Sequence, residues 1–114
     1  MKYEVVFETT AILDLCGIFD YITDILKEPK TARRVFFSIE KKVMSKEEIP
    51  TEFPCLDDLP KCHGVVRDEP YASIGVRFMP VGNYTVFYIA DETERKVHVL
   101  RILYNRREWQ NLLI

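Results

Sequence analysis

From Arg95 to Arg107 the chain carries Arg95, Lys96, Arg101, Arg106 and Arg107 and no acidic residue. Such a strip suits an anion, because guanidinium groups meet phosphate oxygens in a fixed, forked geometry. The plainer reading is a set of solvated strand and helix ends, or ion pairs to Glu94 or Glu108. Arg77 lies in a strand-like run further back and fits a cross-strand ion pair equally well. Arg77, Arg106 and Arg107 are the candidate catalytic residues, the role open to them being stabilisation of a phosphate.

The remaining chemistry-bearing residues point to structure. His63 and His98 are the only histidines, and either can titrate near neutrality. His98 falls in the alternating stretch VHVLRI, which favours a structural place in a strand, and His63 has no evident partner. Tyr84 and Tyr88 share one face of a strand and read as core packing. Cys55, Cys62 and His63 lack the paired spacing of a metal centre, so no metal is expected. The glycines Gly17, Gly64, Gly75 and Gly82 are scattered and form no phosphate loop, so no cofactor is expected.

The elements that must position these residues are legible as periodicity. Residues 2–7 alternate, with Tyr3, Val5 and Phe7 on one side, which predicts a strand. From Thr10 the period lengthens: Leu15, Ile18, Phe19, Ile22 and Leu26 share a helical face, with Thr9 or Thr10 as N-cap. Pro29 suits the first turn of a second helix, in which Ala32, Val35, Phe36, Ile39 and Val43 form the apolar stripe while Arg33, Arg34, Lys41 and Lys42 face elsewhere. The two helices make a hairpin. Residues 46–71 contain Pro50, Pro54, Pro60 and Pro70 and no sustained period, which predicts a long connection with a short helical turn near 56–59.

Three strand-like runs follow, 74–81, 84–90 and 97–104, joined by a Gly82-Asn83 turn and a polar turn from Asp91 to Lys96. The last two are apolar on both faces and should be central in a sheet. The tail NRREWQNLLI offers Trp109, Leu112 and Leu113 as the apolar edge of a final helical turn or two. The expected fold is α+β: a strand, a two-helix hairpin, a three-stranded antiparallel meander and a short helical tail.

A chain of 114 residues suits one domain over 1–114. With 47% apolar and 30% charged residues, it has a globular composition rather than a disordered one. No apolar run approaches the length of a membrane span and the N-terminus lacks a secretory pattern, so a cytoplasmic protein with no membrane partner is expected. A net charge of −2 argues against broad attraction to nucleic acid.

Several strings together resemble the RelE/ParE toxin family. TTAILDLCGIFDYI from Thr9 is similar to the family's first helix, and VRFMPVGNYTVFYIAD from Val76 with VHVLRILYNRREW from Val97 looks like its paired core strands and basic C-terminal motif. The resemblance covers nearly the whole chain, with residues 46–72 matching loosely. It implies a toxin of a type II toxin–antitoxin system, of the kind linked to plasmid stabilisation and growth inhibition. It also implies a small cognate antitoxin that folds across the toxin surface.

The resemblance implies two alternative targets, DNA gyrase or the ribosome with its mRNA. In the RNA-cleaving branch an arginine follows the tyrosine of the third-strand motif and helps hold the scissile phosphate; here that position is Thr85. That branch also commonly ends in a tyrosine or histidine that moves a proton, whereas this chain ends WQNLLI. Both departures favour ParE-like inhibition of gyrase over a RelE-like endoribonuclease. An inactive relic that only binds antitoxin is the third reading.

Overall fold

The structure, a computed structural model, describes residues 2–48, 50, 53, 55 and 74–105. The predicted helical turn at 56–59 and the predicted C-terminal helical tail lie outside these residues. A strand β1 (Glu4–Phe7) leads into helix α1 (Thr9–Asp20), which runs on through a π-helical turn, Tyr21–Ile25. Helix α2 (Pro29–Met44) follows and ends in a 3-10 turn, Ser45–Glu47. Strands β2 (Arg77–Val81), β3 (Tyr84–Asp91) and β4 (Lys96–Tyr104) complete the described chain. No described helix is long and apolar enough to cross a membrane.

The four strands form one sheet in the order β1-β4-β3-β2. The β2–β3 and β3–β4 pairs are antiparallel, as the meander predicted. The first strand adds a parallel partner to β4, placing Val5 opposite Val97 and Phe7 opposite Val99. That makes β3 and β4 the central pair, which is why both of their faces are apolar.

The helices pack on one face of the sheet. Ala11 and Leu15 of α1 and Ile39 and Val43 of α2 meet Met79, Val86, Tyr88, Val97, Val99 and Ile102 in one core. The alternate residues Phe87, Ile89 and Leu103 are buried as well. Phe19 and Phe36 close the helical hairpin edge to face, ring centroids 6.2 Å apart. The cationic residues Arg33, Arg34, Lys41 and Lys42 are exposed, as the amphipathic pattern requires.

Local chemistry differs from the periodic reading at three places. The α1 N-cap is Glu8, whose side chain makes no capping bond. Thr9 and Thr10 are already helical, and the Thr10 hydroxyl donates to the Leu100 carbonyl at 2.7 Å. Leu26, expected on the buried stripe of the first helix, lies beyond it and is 47% exposed. The π turn explains this: Leu26 N–H bonds back five residues to the Tyr21 carbonyl at 3.1 Å, and the wider turn breaks the helical phase after Ile22. Finally, β2 starts at Arg77 rather than at Ile74. Ahead of it Gly75 takes a φ of +93°, and a Cβ there would stand 3.1 Å from the Cys55 sulfur, so a side chain there would be strained and crowded.

Pro29 stands in the first turn of α2 as expected, where its missing N–H costs nothing. The β2–β3 hairpin turns at Gly82-Asn83, with Gly82 at φ +60°, a conformation that glycine adopts without penalty. The β3–β4 turn is held by Asp91, whose Oδ1 accepts the N–H groups of Thr93 and Glu94 at 3.0 and 3.2 Å.

Candidate functional site

The register of β3 against β4 shifts between Phe87 and Tyr88, which pair with Arg101 and Val99 respectively. Leu100 is therefore an extra residue in β4, a bulge that re-aims its neighbours. α1 docks there through two residues one turn apart. The Leu100 carbonyl is taken by Thr10, and the Asp14 carboxylate accepts Arg101 Nε at 2.7 Å, Arg101 Nη2 at 3.1 Å and the Ile102 N–H at 2.9 Å. The hydrogen bond to Asp14 raises the Arg101 pKa, partly opposed by burial.

Arg101, a member of the basic strip, is thus tied to α1. The Arg95 guanidinium lies over the Tyr3 ring, 5.7 Å from its centroid, a cation–π contact. Arg77 opens β2 and donates to the Phe53 carbonyl at 2.6 Å. Its backbone pairs with Tyr88 on β3 and, in an isolated bridge, with Cys55. Arg106 and Arg107 lie outside the described residues.

Thr85 is 8% exposed, and its hydroxyl donates to Asn105 Oδ1. Asn105 in turn bonds the adjacent hairpin turn, through its N–H to the Asn83 carbonyl at 2.9 Å and its side-chain amide to the Gly82 carbonyl at 3.3 Å. The position thus belongs to a polar clasp that closes one end of the central strand pair. Tyr88 is fully buried and donates its hydroxyl to the Pro50 carbonyl at 2.8 Å, in keeping with a core role. His98 is partly buried on β4, and its Nδ1 lies 2.8 Å from a carboxylate oxygen of Glu8.

Beside the clasp, a groove of ≈ 910 Å³ opens between the helical hairpin and the ends of β3 and β4, lined by Leu13, Tyr21, Leu26, Tyr84 and Tyr104 among others. Several of these apolar side chains face solvent: Leu13 is 65% and Tyr21 55% exposed. Periodicity could not reveal the groove, because its walls come from both helices and two strands that meet only in the folded chain. Tyr84 and Tyr104 meet edge to face at 5.5 Å.

Burial raises the Tyr84 pKa, and the neighbouring phenols of Tyr104 and Tyr21 raise it further. The folded protein therefore keeps a proton that the unfolded chain gives up near the ordinary value of 10.0. This contribution to stability is fully present below pH 10 and is lost as pH rises through the folded value. Urea titrations across that range should show stability falling more steeply in the wild-type chain than in Tyr84→Phe; parallel profiles would contradict the assignment.

A family model described as the ParE toxin of the type II toxin–antitoxin system parDE matches residues 5–109. No curated protein matches the chain. Among solved structures, the chromosomal ParDE system from P. aeruginosa is similar with a TM-score of 0.64 and 17% identity, over 90% of this chain and 96% of that one. The RelBE2 toxin–antitoxin complex from Mycobacterium tuberculosis is similar with a TM-score of 0.56 and 21% identity, over 91% of this chain and 99% of that one. The archaeal RelE–RelB complex from Pyrococcus horikoshii gives 0.52 and 15%, over 94% and 99%. These likenesses share the sheet and helical hairpin described above, and the family match extends across them. This chain belongs to the ParE toxin family of type II toxin–antitoxin systems.

Proposed function

We infer that the chain is one toxin domain over 1–114 that acts in the cytoplasm by inhibiting DNA gyrase through protein contacts, and that a small cognate antitoxin neutralises it. The observation that carries the choice of target is Thr85. Where the resemblance places a phosphate-holding arginine in RNA-cleaving members, this chain has a short hydroxyl, buried and hydrogen-bonded to Asn105. A hydroxyl so placed offers no charge to a developing phosphorane. Of the arginines in the described strands, Arg101 of the basic strip is bound to Asp14, and the candidate Arg77 donates to a backbone carbonyl.

An antitoxin partner is supported by the solved relatives, which include a ParDE system and two RelBE-type complexes. It is supported also by the groove and its exposed Leu13 and Tyr21, the kind of apolar surface that a segment folding on binding can cover.

Controlled induction of the chain in a bacterial host, paired with a supercoiling assay on purified gyrase, tests the reading. The expected result is a fall in viable count by several orders of magnitude, rescued by co-expression of the neighbouring antitoxin, together with loss of supercoiling in vitro. Ribosome-dependent mRNA cleavage with gyrase unaffected would overturn the target in favour of a RelE-like endoribonuclease. Full viability at confirmed soluble expression would leave an antitoxin-binding relic.

A further inference from the structure

The end of the sheet opposite the groove gathers groups that the toxin reading does not use. Asp91 ends β3, Glu94 sits in the following turn and His98 lies on β4, and one ligand atom from each falls within 4.8 Å of the other two. The histidine is held from a separate part of the chain. Glu8, between β1 and α1, places Oε1 2.8 Å from His98 Nδ1. A carboxylate can only accept, so Nδ1 carries the proton and the lone pair of the neutral ring falls on Nε2. A carboxylate behind a histidine is the usual way to orient a metal-binding imidazole.

We propose that Asp91, Glu94 and His98 bind a divalent first-row transition cation, with Glu8 orienting the imidazole. The chemistry of the set selects this class. Imidazole suits zinc and its neighbours, whereas a calcium or magnesium site is built from oxygen alone. Ligand atoms about 2.1 Å from a shared ion stand no more than about 4.2 Å apart, so the three need to close by at most about 0.6 Å. The exposed Glu94 side chain can make that movement. Asp91 Oδ1 accepts the turn N–H groups, which fixes the carboxylate that would meet the ion. Three protein ligands leave further positions for water. The bound ion ties the β3–β4 turn, through His98 and Glu8, to the start of α1.

Calorimetric titration of the full chain with zinc chloride, and separately with magnesium chloride, tests the site whether or not the chain proves toxic. One zinc ion per chain is expected, with no competition from equimolar magnesium and a rise in melting temperature on zinc addition. Glu94→Gln, on the exposed turn, should weaken binding at least ~10-fold without altering the fold, and Glu8→Gln should weaken it by a comparable factor through the imidazole. His98→Gln should abolish both the binding and the thermal shift. Absence of saturable zinc binding would overturn the proposal. So would binding that survives Glu94→Gln and His98→Gln, including binding lost only in a Cys55→Ser/Cys62→Ser chain.

Discussion

Asp14→Ala should cost about 3 kcal/mol of folding stability, because one carboxylate serves three donors at the point where α1 meets the bulged strand. The Asp14 and Arg101 side chains are 16% and 26% exposed, too little for water to replace the lost partner fully. The alanine variant loses the charge that balances the guanidinium and leaves the Ile102 N–H without its acceptor. Guanidinium denaturation of Asp14→Ala, Arg101→Ala and the double variant would measure the effect. The double variant should cost less than the sum of the two by roughly 1–3 kcal/mol, since the second substitution removes a charge that the first has stranded. A loss below about 1 kcal/mol in Asp14→Ala would reduce the pair to an ordinary surface contact.

Ile39→Ala should cost about as much, roughly 3–4 kcal/mol, by a different physical route. Ile39 has no exposed surface and stands in the core shared by α1, α2, β2, β3 and β4. Removing three carbons from a close-packed site loses their transfer free energy and leaves a cavity that helices anchored elsewhere cannot collapse to fill. For a chain of this size the melting temperature should fall by roughly 12–18 °C. Ile39→Val, which removes one carbon, should cost about 1 kcal/mol. Equal losses in the two variants would show that the side chain is not packed as described.

The two results probe levels of organisation that were not equally legible. Ile39 was readable from the amphipathic stripe Ala32, Val35, Phe36, Ile39 and Val43, because helical period and burial are both local properties. Asp14 was not. Its role depends on Leu100, the extra residue that shifts β4 against β3, and nothing in the alternation of VHVLRILY announces that shift. Likewise Thr10 looked like a helix cap, since the preference of threonine for N-termini is local, but its hydroxyl is taken by a carbonyl 90 residues away. The core place of Tyr88 was legible from its strand; its hydrogen bond to Pro50 was not.

The candidate site divides in the same way. The missing arginine at Thr85 was visible from the motif around Tyr84, and the structure adds that Asn105 holds the hydroxyl that replaces it. Glu8 carried no signal of its place behind His98, because the two lie 90 residues apart and meet only when β1 joins the sheet.

What the sequence alone determined is the set of elements and their buried faces: two amphipathic helices, an opening strand and a meander whose last two strands are apolar on both sides. Those are properties of short-range period and side-chain polarity, which the chain carries whatever its partners are. Only the tertiary structure decided that β1 pairs in parallel with β4, that β4 bulges at Leu100, that the first helix widens into a π turn and that His98 meets Glu8. These features depend on which segments pack together, and register and long-range pairing are settled by the energy of the whole core rather than by the sequence on either side.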